Sequence, residues 1–315
     1  MQLKHLGLTT GLTLLASIVL PVLNLSAQAT ESLQMTSTLY APLTRPLAEA
    51  QPDTTDPLFK QGWNLLNAGK FAEALTIFDQ VLALHPNHAV AWIGRGDALY
   101  NLERYPDAIA AYRKATELDS KLVPAWVGLG NVLDDSGDPN AALVAYDQAL
   151  KIDPNDADIW FNRGITLGRL KRYEQVIASY DRAIRIDPNY ESAWLNRGMD
   201  LYALKRYDEA LQSFDQTVRL NPKQIRAWFE RGNALIALNR NEEAVASYDR
   251  VIAVKSDIEV VWYNRGVALA NLKRYKEAIA SFDQTLKINP KNADARQNRD
   301  ALLQQVGQRP SNSAV

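Results

Sequence analysis

The 315-residue sequence predicts an all-α solenoid of antiparallel helix pairs, and three periodic observations carry that prediction. Tryptophan recurs every 34 residues, at Trp92, Trp126, Trp160, Trp194, Trp228 and Trp262. A glycine follows each by four residues (Gly96, Gly130, Gly164, Gly198, Gly232, Gly266) and a leucine by seven (Leu99, Leu133, Leu167, Leu201, Leu235, Leu269). Most units close on a proline, at Pro86, Pro154, Pro188, Pro222 and Pro290, with Ser120 and Ser256 in the other two places. Self-similarity at a fixed period of tens of residues signals stacked helical units rather than one compact core.

In chain order, the first element is a targeting segment over residues 1–29. Lys4 and His5 form a short basic start, an apolar stretch runs from Leu6 to Leu25, and Ala27-Gln28-Ala29 supplies small residues for cleavage. That is the layout of a secretory signal peptide, which predicts an exported, periplasmic or secreted chain. The competing reading is an uncleaved membrane anchor, because the apolar stretch is long enough to cross a bilayer. Residues 30–54 carry Ser, Thr, Pro and Gln without apolar periodicity and read as a flexible linker.

Seven repeats follow, over 55–88, 89–122, 123–156, 157–190, 191–224, 225–258 and 259–292. Trp160, Gly164 and Leu167 are spaced i, i+4, i+7, so they share one helix face. Val176, Tyr180, Ala183 and Ile184 do the same on a second helix. The second half keeps the same time, with Ala74, Ala108, Ala142, Ala210, Ala244 and Ala278, then an aromatic at Phe78, Tyr112, Tyr146, Tyr180, Phe214, Tyr248 and Phe282. Small residues let two helices cross closely, and the rings, the tryptophans among them, fill the space beside the crossing. Proline cannot continue a helix, so each Asp-Pro or Asn-Pro step marks the turn into the next unit. Residues 293–308 begin an eighth unit with Arg296 for tryptophan and Asp300 for glycine, as a solvent-facing capping helix requires. Residues 309–315 read as a disordered tail.

These residues resemble the tetratricopeptide repeat (TPR) family over about residues 55 to 292. The resemblance implies a right-handed superhelical solenoid whose first helices line an inner groove, and a non-catalytic protein that binds a protein or peptide partner.

A charge pattern couples neighbouring units. Arginine stands three residues after the tryptophan at Arg95, Arg163, Arg197, Arg231 and Arg265, and Leu129 breaks the series. Aspartate follows the second-helix aromatic at Asp79, Asp147, Asp181, Asp215, Asp249 and Asp283, and Arg113 breaks that one. Matched within a repeat the partners disagree. Matched sixteen residues on, across the junction, they agree every time: Asp79–Arg95, Asp147–Arg163, Asp181–Arg197, Asp215–Arg231, Asp249–Arg265 and Asp283–Arg299. The spacing predicts an inter-repeat ion pair that fixes register, absent only between repeats two and three.

The family pattern implies that residues just after each tryptophan face the groove: Phe161, Leu195, Phe229 and Tyr263, then Asn162, Asn196, Asn264 and Asn298, with Met199, Tyr202 and Asn233 extending the wall. The asparagines are similar to the ladder in the repeat region of the O-linked N-acetylglucosamine transferase. Side-chain amides of that kind hold a peptide main chain without reading its sequence.

Other chemistry is excluded or weak. There are no cysteines, and 35 basic residues balance 36 acidic ones without a basic run, which argues against a nucleic-acid partner. His85-Pro86-Asn87-His88 lacks a third metal ligand, and Asp134-Asp135-Ser136-Gly137-Asp138 lacks the alternating ligands and distal glutamate of a calcium loop. Asp138 reads instead as the cap of a helix started by Pro139. No nucleophile elbow, phosphate loop or dinucleotide fingerprint is present, so neither an enzyme nor a cofactor is expected. The function expected is an interaction scaffold. The alternative is a membrane-tethered assembly or secretion factor acting through its outer face or by self-association.

Overall fold

The computed structural model describes residues 57–307, so the expected signal segment (1–29), linker (30–54) and tail (309–315) lie outside the described residues. Within them fifteen helices and no strands follow one another. The first helices of the units are α1 (Pro57–Asn67), α3 (Ala89–Asn101), α5 (Val123–Asp135), α7 (Ala157–Arg169), α9 (Glu191–Ala203), α11 (Ile225–Ala237) and α13 (Glu259–Asn271). Their partners are α2 (Phe71–Leu84), α4 (Tyr105–Leu118), α6 (Pro139–Ile152), α8 (Tyr173–Ile186), α10 (Tyr207–Leu220), α12 (Asn241–Val254) and α14 (Tyr275–Ile288), and α15 (Ala293–Gly307) closes the array. Each helix packs on the one before and the one after, as a solenoid requires. No helix among the described residues is long and apolar enough to cross a membrane.

The periodic glycines set how close a pair comes. A Cβ placed on Gly164 would lie 2.6 Å from Tyr180 Cε1, and the same contact recurs from Gly96 to Tyr112 at 2.7 Å and from Gly266 to Phe282 at 2.7 Å. The second-helix rings are therefore the buried centre of each unit: Phe78, Tyr112, Tyr146, Phe214, Tyr248 and Phe282 are wholly inaccessible. Burying each contributes about 1.5–3 kcal/mol.

The tryptophans depart from expectation. They are only half-buried. Each indole N–H instead donates to the carbonyl six residues back, as in Trp160 to Pro154 at 2.9 Å and Trp228 to Pro222 at 2.9 Å. The ring pins the turn between repeats while its body packs on the core. Arg296, which replaces tryptophan in α15, donates to the Pro290 carbonyl in the same way.

The turn inside each pair is also periodic. The residue after α7's last carbonyl-capping position, Lys171, is left-handed at φ 57°, and its N–H and that of Arg172 return to Gly168 and Leu167 at 2.9 and 3.0 Å. This double return satisfies carbonyls the helix leaves open. The equivalent residues are Gly69 and Gly137, but also Glu103, Lys205, Asn239 and Lys273. Four side-chain-bearing residues other than asparagine hold a conformation that disfavours them. Elsewhere the turns cap in familiar ways: Asp138 accepts from the Ala141 N–H at 3.0 Å ahead of Pro139, and His88 Nδ1 accepts from Ala91 N–H at 3.2 Å with its ring stacked on Phe59. His88 is thus occupied as a helix cap.

Candidate functional site

Consecutive first helices touch one another in the pairs α1–α3, α3–α5, α5–α7, α9–α11 and α11–α13, whereas consecutive second helices make no comparable contact. The closer spacing puts the first helices on the inner side. Across the junctions, the structure brings all six Asp–Arg pairs together. Arg Nε donates to the aspartate at 2.7 Å for Arg95–Asp79, 2.8 Å for Arg163–Asp147, 2.7 Å for Arg197–Asp181, 2.6 Å for Arg231–Asp215 and 2.6 Å for Arg265–Asp249. Arg299 reaches Asp283 through Nη1 at 3.4 Å. The aspartate side chains remain 39–53% exposed, so these pairs keep much of their hydration and are not the buried kind.

Each central guanidinium does more than pair. Arg163, Arg197, Arg231 and Arg265 also donate to Ser179, Ser213, Ser247 and Ser281 at 2.7–2.9 Å. One arginine therefore ties the preceding second helix to the following one through its own first helix. The serine partner was missed in the sequence, although it recurs every 34 residues, two positions before the aspartate. Several of the same guanidinium groups lie over their tryptophan, at 5.6 Å for Arg231 and Trp228. Between repeats two and three, Arg113 is exposed and Leu129 buried. A different tie serves there on the inner side: Tyr100 donates to Asp135 Oδ2 at 2.5 Å, and Arg169 bridges on to Asp135 at 3.3 Å.

The expected groove residues divide into two sets. Phe161, Leu195, Phe229 and Tyr263 are buried rather than guest-facing. One residue after tryptophan is about 100° further round the helix, and that direction meets the rings of neighbouring helices. Phe161 lies 5.7 Å from Tyr180 and 5.0 Å from Tyr190, Phe229 6.1 Å from Tyr248, and Tyr263 5.8 Å from Phe282. Asn162, Asn233 and Asn264 are buried too. Their amides join repeats: Asn162 Nδ2 donates to Asn131 Oδ1 at 3.4 Å and Asn264 Nδ2 to Asn233 Oδ1 at 3.0 Å. Asn196, Met199, Tyr202 and Asn298 stay partly exposed on the first helices, with Asn298 donating to the Tyr263 hydroxyl at 3.3 Å.

A second rule governs this wall. Where the second-helix aromatic is tyrosine, its hydroxyl meets a polar side chain on its own first helix: Tyr112 donates to Asp97 at 2.5 Å, Tyr146 to Asn131 at 2.6 Å and Tyr248 to Asn233 at 2.8 Å. Where it is phenylalanine, the matching residue is apolar: Trp63 for Phe78, Met199 for Phe214 and Val267 for Phe282. Tyr180 opposite Ile165 is the exception.

Three carboxylates on the first helices are held above the ordinary carboxylate range. Burial raises Asp97 to about 6, against the pull of its Tyr112 hydrogen bond, and raises Asp200 to about 6. It also raises Glu230. For Asp200 the folded value exceeds the unfolded 3.8, so the folded state holds its proton harder. The resulting stability is present below pH 3.8 and lost as pH rises through about 6. Asp200→Asn is therefore expected to stabilise the fold by about 1–2 kcal/mol at pH 7.5, discounted for partial exposure, and by little at pH 4. Urea unfolding at the two pH values checks this, and an equal effect at both would contradict it. Among the described residues no group of three or more metal-ligating side chains comes together.

Profiles described as tetratricopeptide repeat match residues 59–122, 157–190, 195–258 and 260–292, and one described as TPR repeat matches 130–171. The chain belongs to the tetratricopeptide-repeat family. Solved TPR structures align with it at low identity. The C-terminal part of a TPR repeat-containing protein from Cytophaga hutchinsonii is 20% identical, with a TM-score of 0.67 over 76% of this chain and 98% of that one. YrrB, described as a TPR protein with an unusual peptide-binding site, is 22% identical, with a TM-score of 0.57 over 61% of this chain and 99% of that one. PilF of Pseudomonas aeruginosa is 21% identical, with a TM-score of 0.54 over 68% of this chain and 97% of that one. No curated protein matches the sequence. These likenesses establish the TPR fold, and the chemistry of this TPR wall is its own.

Proposed function

We propose that this TPR protein is a non-catalytic interaction scaffold that holds a polypeptide segment along its inner wall, outside the cytoplasm. The observation that carries this reading is the set of partly exposed side chains on the first helices, Tyr100 on α3, Ile165 on α7 and Asn196, Met199 and Tyr202 together on α9, over a core already closed by the second-helix rings. Such a surface, densest on α9, offers apolar area and hydrogen-bonding groups to a bound chain. YrrB, with its peptide-binding site, supports the reading by analogy of fold. The leader-like composition of residues 1–29 supports the location.

A second reading, through the outer face or self-association, has one observation in its favour. The last turns of second helices expose Leu84, Ile152, Val254 and Ile288, each 34 residues or a multiple of it from the next. A photo-crosslinking residue placed at Met199 or at outer-face Val144 separates the two readings in the native host. Adducts with another polypeptide from Met199 are expected. Adducts from Val144 alone would overturn the inner-wall reading. Fractionation of the same cells tests location, where a soluble species lacking residues 1–29 is expected and full-length chain in the cytoplasm would overturn export.

A further inference from the structure

Repeat four departs from its sisters at the turn between α7 and α8, and two independent departures meet there. The first is an empty place. In repeats two and five the last turn of the first helix carries a tyrosine that packs on the first residue of the second helix. Tyr100 lies 6.0 Å from Tyr105 and Tyr202 lies 5.3 Å from Tyr207, centre to centre. Repeat four keeps the second ring, Tyr173, but has Gly168 where Tyr100 and Tyr202 stand. A Cβ built on Gly168 would meet no neighbouring group within 4 Å, whereas every other glycine inside the helices of the seven repeats would strike a ring. Tyr173 is accordingly 37% exposed, with no ring contact or hydrogen bond among the described residues. In repeat seven, where Ala270 takes the same place, Gln305 of α15 covers Tyr275 by donating to its hydroxyl at 3.3 Å. Of the four tyrosines that open a second helix, Tyr173 is left bare.

The second departure is a missing charge. An arginine just before a second helix pairs with a carboxylate three residues on: Arg104–Asp107 at 2.6 Å, and Arg206–Glu209, Arg240–Glu243 and Arg274–Glu277 at 2.7 Å. After Arg172 that place holds Gln175. The Arg172 side chain bonds only the neutral Asn140, at 3.1 Å, and Lys171 beside it has no ion pair among the described residues. Glu174, the acid of this turn, faces Arg206 of the next repeat at 3.4 Å. The backbone N–H groups of Lys171 and Arg172 return to Gly168 and Leu167, so both exposed cations stand at the rim of the empty place.

A notch floored by glycine and walled by a bare ring suits another ring, as the sister repeats show by filling it with tyrosine. Covering the face of Tyr173 removes apolar surface from water and adds the attraction of one ring for another. No acceptor awaits a hydroxyl there, because the counterpart of Asp135, the partner of Tyr100, is Ala203. The two cations favour an acidic neighbour to that ring and disfavour a basic one.

We propose that this notch seats an aromatic side chain of the bound polypeptide, phenylalanine or tyrosine, beside an aspartate or glutamate that meets Arg172 and Lys171. The proposal rests on the inner-wall reading above and names the chemistry of the guest. Gly168 lies one turn after Ile165 on the same face of α7, and Tyr202 is its equivalent on α9, so the notch belongs to that wall.

Short random peptides, displayed on phage and selected against the full-length chain, supply the probes; those that crosslink to a photo-reactive residue at Met199 are kept. They are expected to share a phenylalanine or tyrosine next to an acidic residue. Replacing that ring by alanine should weaken binding about tenfold, measured by fluorescence anisotropy. Gly168→Tyr fills the notch from within. It should raise the urea midpoint, weaken the unaltered peptide about tenfold, and make the alanine replacement nearly free. Gly168→Ala adds only a methyl and should leave the ring penalty in place. Gln175→Glu gives Arg172 the partner its sisters have, and should remove the loss of about threefold seen when the acid of the peptide becomes glutamine.

Peptides that crosslink from Met199 yet share no aromatic residue would overturn this proposal and leave the inner-wall reading intact. A ring penalty undiminished in Gly168→Tyr would do the same. Were that variant unable to fold, Tyr173→Ala decides, since it alters an exposed ring without partners. It should weaken the peptide about threefold or more, and unchanged affinity would overturn the proposal. Failure to select any peptide that crosslinks from Met199 would overturn both readings.

Discussion

Gly198→Ala is expected to destabilise the protein by about 2–3 kcal/mol, because the added methyl lands inside a ring. A Cβ at this position would sit 2.6 Å from Phe214 Cε1 and 2.8 Å from Cδ1. Phe214 is wholly buried in the middle of the array, with repeats on both sides, so it has nowhere to tilt. Alanine is the better helix former by about 1 kcal/mol, so propensity alone predicts the opposite sign. The measurement is the urea midpoint at constant m-value. The cause is isolated by Phe214→Leu, which removes the clashing ring edge. The double variant should recover about 1 kcal/mol relative to the sum of the single effects. Simple additivity would show that the glycine is not there for the ring.

Arg231→Leu is expected to cost about 2 kcal/mol, well above the ordinary value of an exposed ion pair. Arg231 donates to Asp215 at 2.6 Å and to Ser247 at 2.7 Å, and its plane lies 5.6 Å from the centre of Trp228. Leucine keeps part of the stem packing and removes every polar contact. A double-mutant cycle with Asp215→Ala should give a coupling of about 1 kcal/mol. A coupling near zero would reduce the inter-repeat link to two surface charges that happen to be neighbours. Arg231→Lys should recover only part of the loss, because an ammonium cannot reproduce the fork that reaches two helices at once.

Much of this architecture is legible in the residues themselves. The alternation of Gly164 with Tyr180, repeated at one period, states which helices cross and how closely, and no long-range pairing has to be guessed. The ion pairs are legible for a related reason. Arg113 and Leu129 depart from their series together, and a joint departure reveals who touches whom. Direction is harder. Phe161 and Phe229 belong to the core and not the wall, because one residue turns the helix by about 100°, a rotation that a motif position does not reveal. The left-handed turns at Glu103, Lys171, Lys205 and Lys273 are invisible to a search for glycine, since the array holds these side chains in a strained conformation. Ser247 went unnoticed because a small polar residue on a helix reads as surface, although it is fully buried beneath an arginine. The pairing of Tyr180 with Ile165 stands out only when each tyrosine is compared with its sisters, so it is an anomaly in a pattern and not a motif.

The last helix has a consequence for assembly. In α15 the place of the ring-receiving glycine is taken by Asp300, exposed and held by Arg299 at 2.8 Å. An incoming ring from another molecule would have to strip water from that carboxylate and then collide with it. A single charge thus disfavours the stacking of a further unit on α15, the part that a polar outer face plays on a terminal repeat.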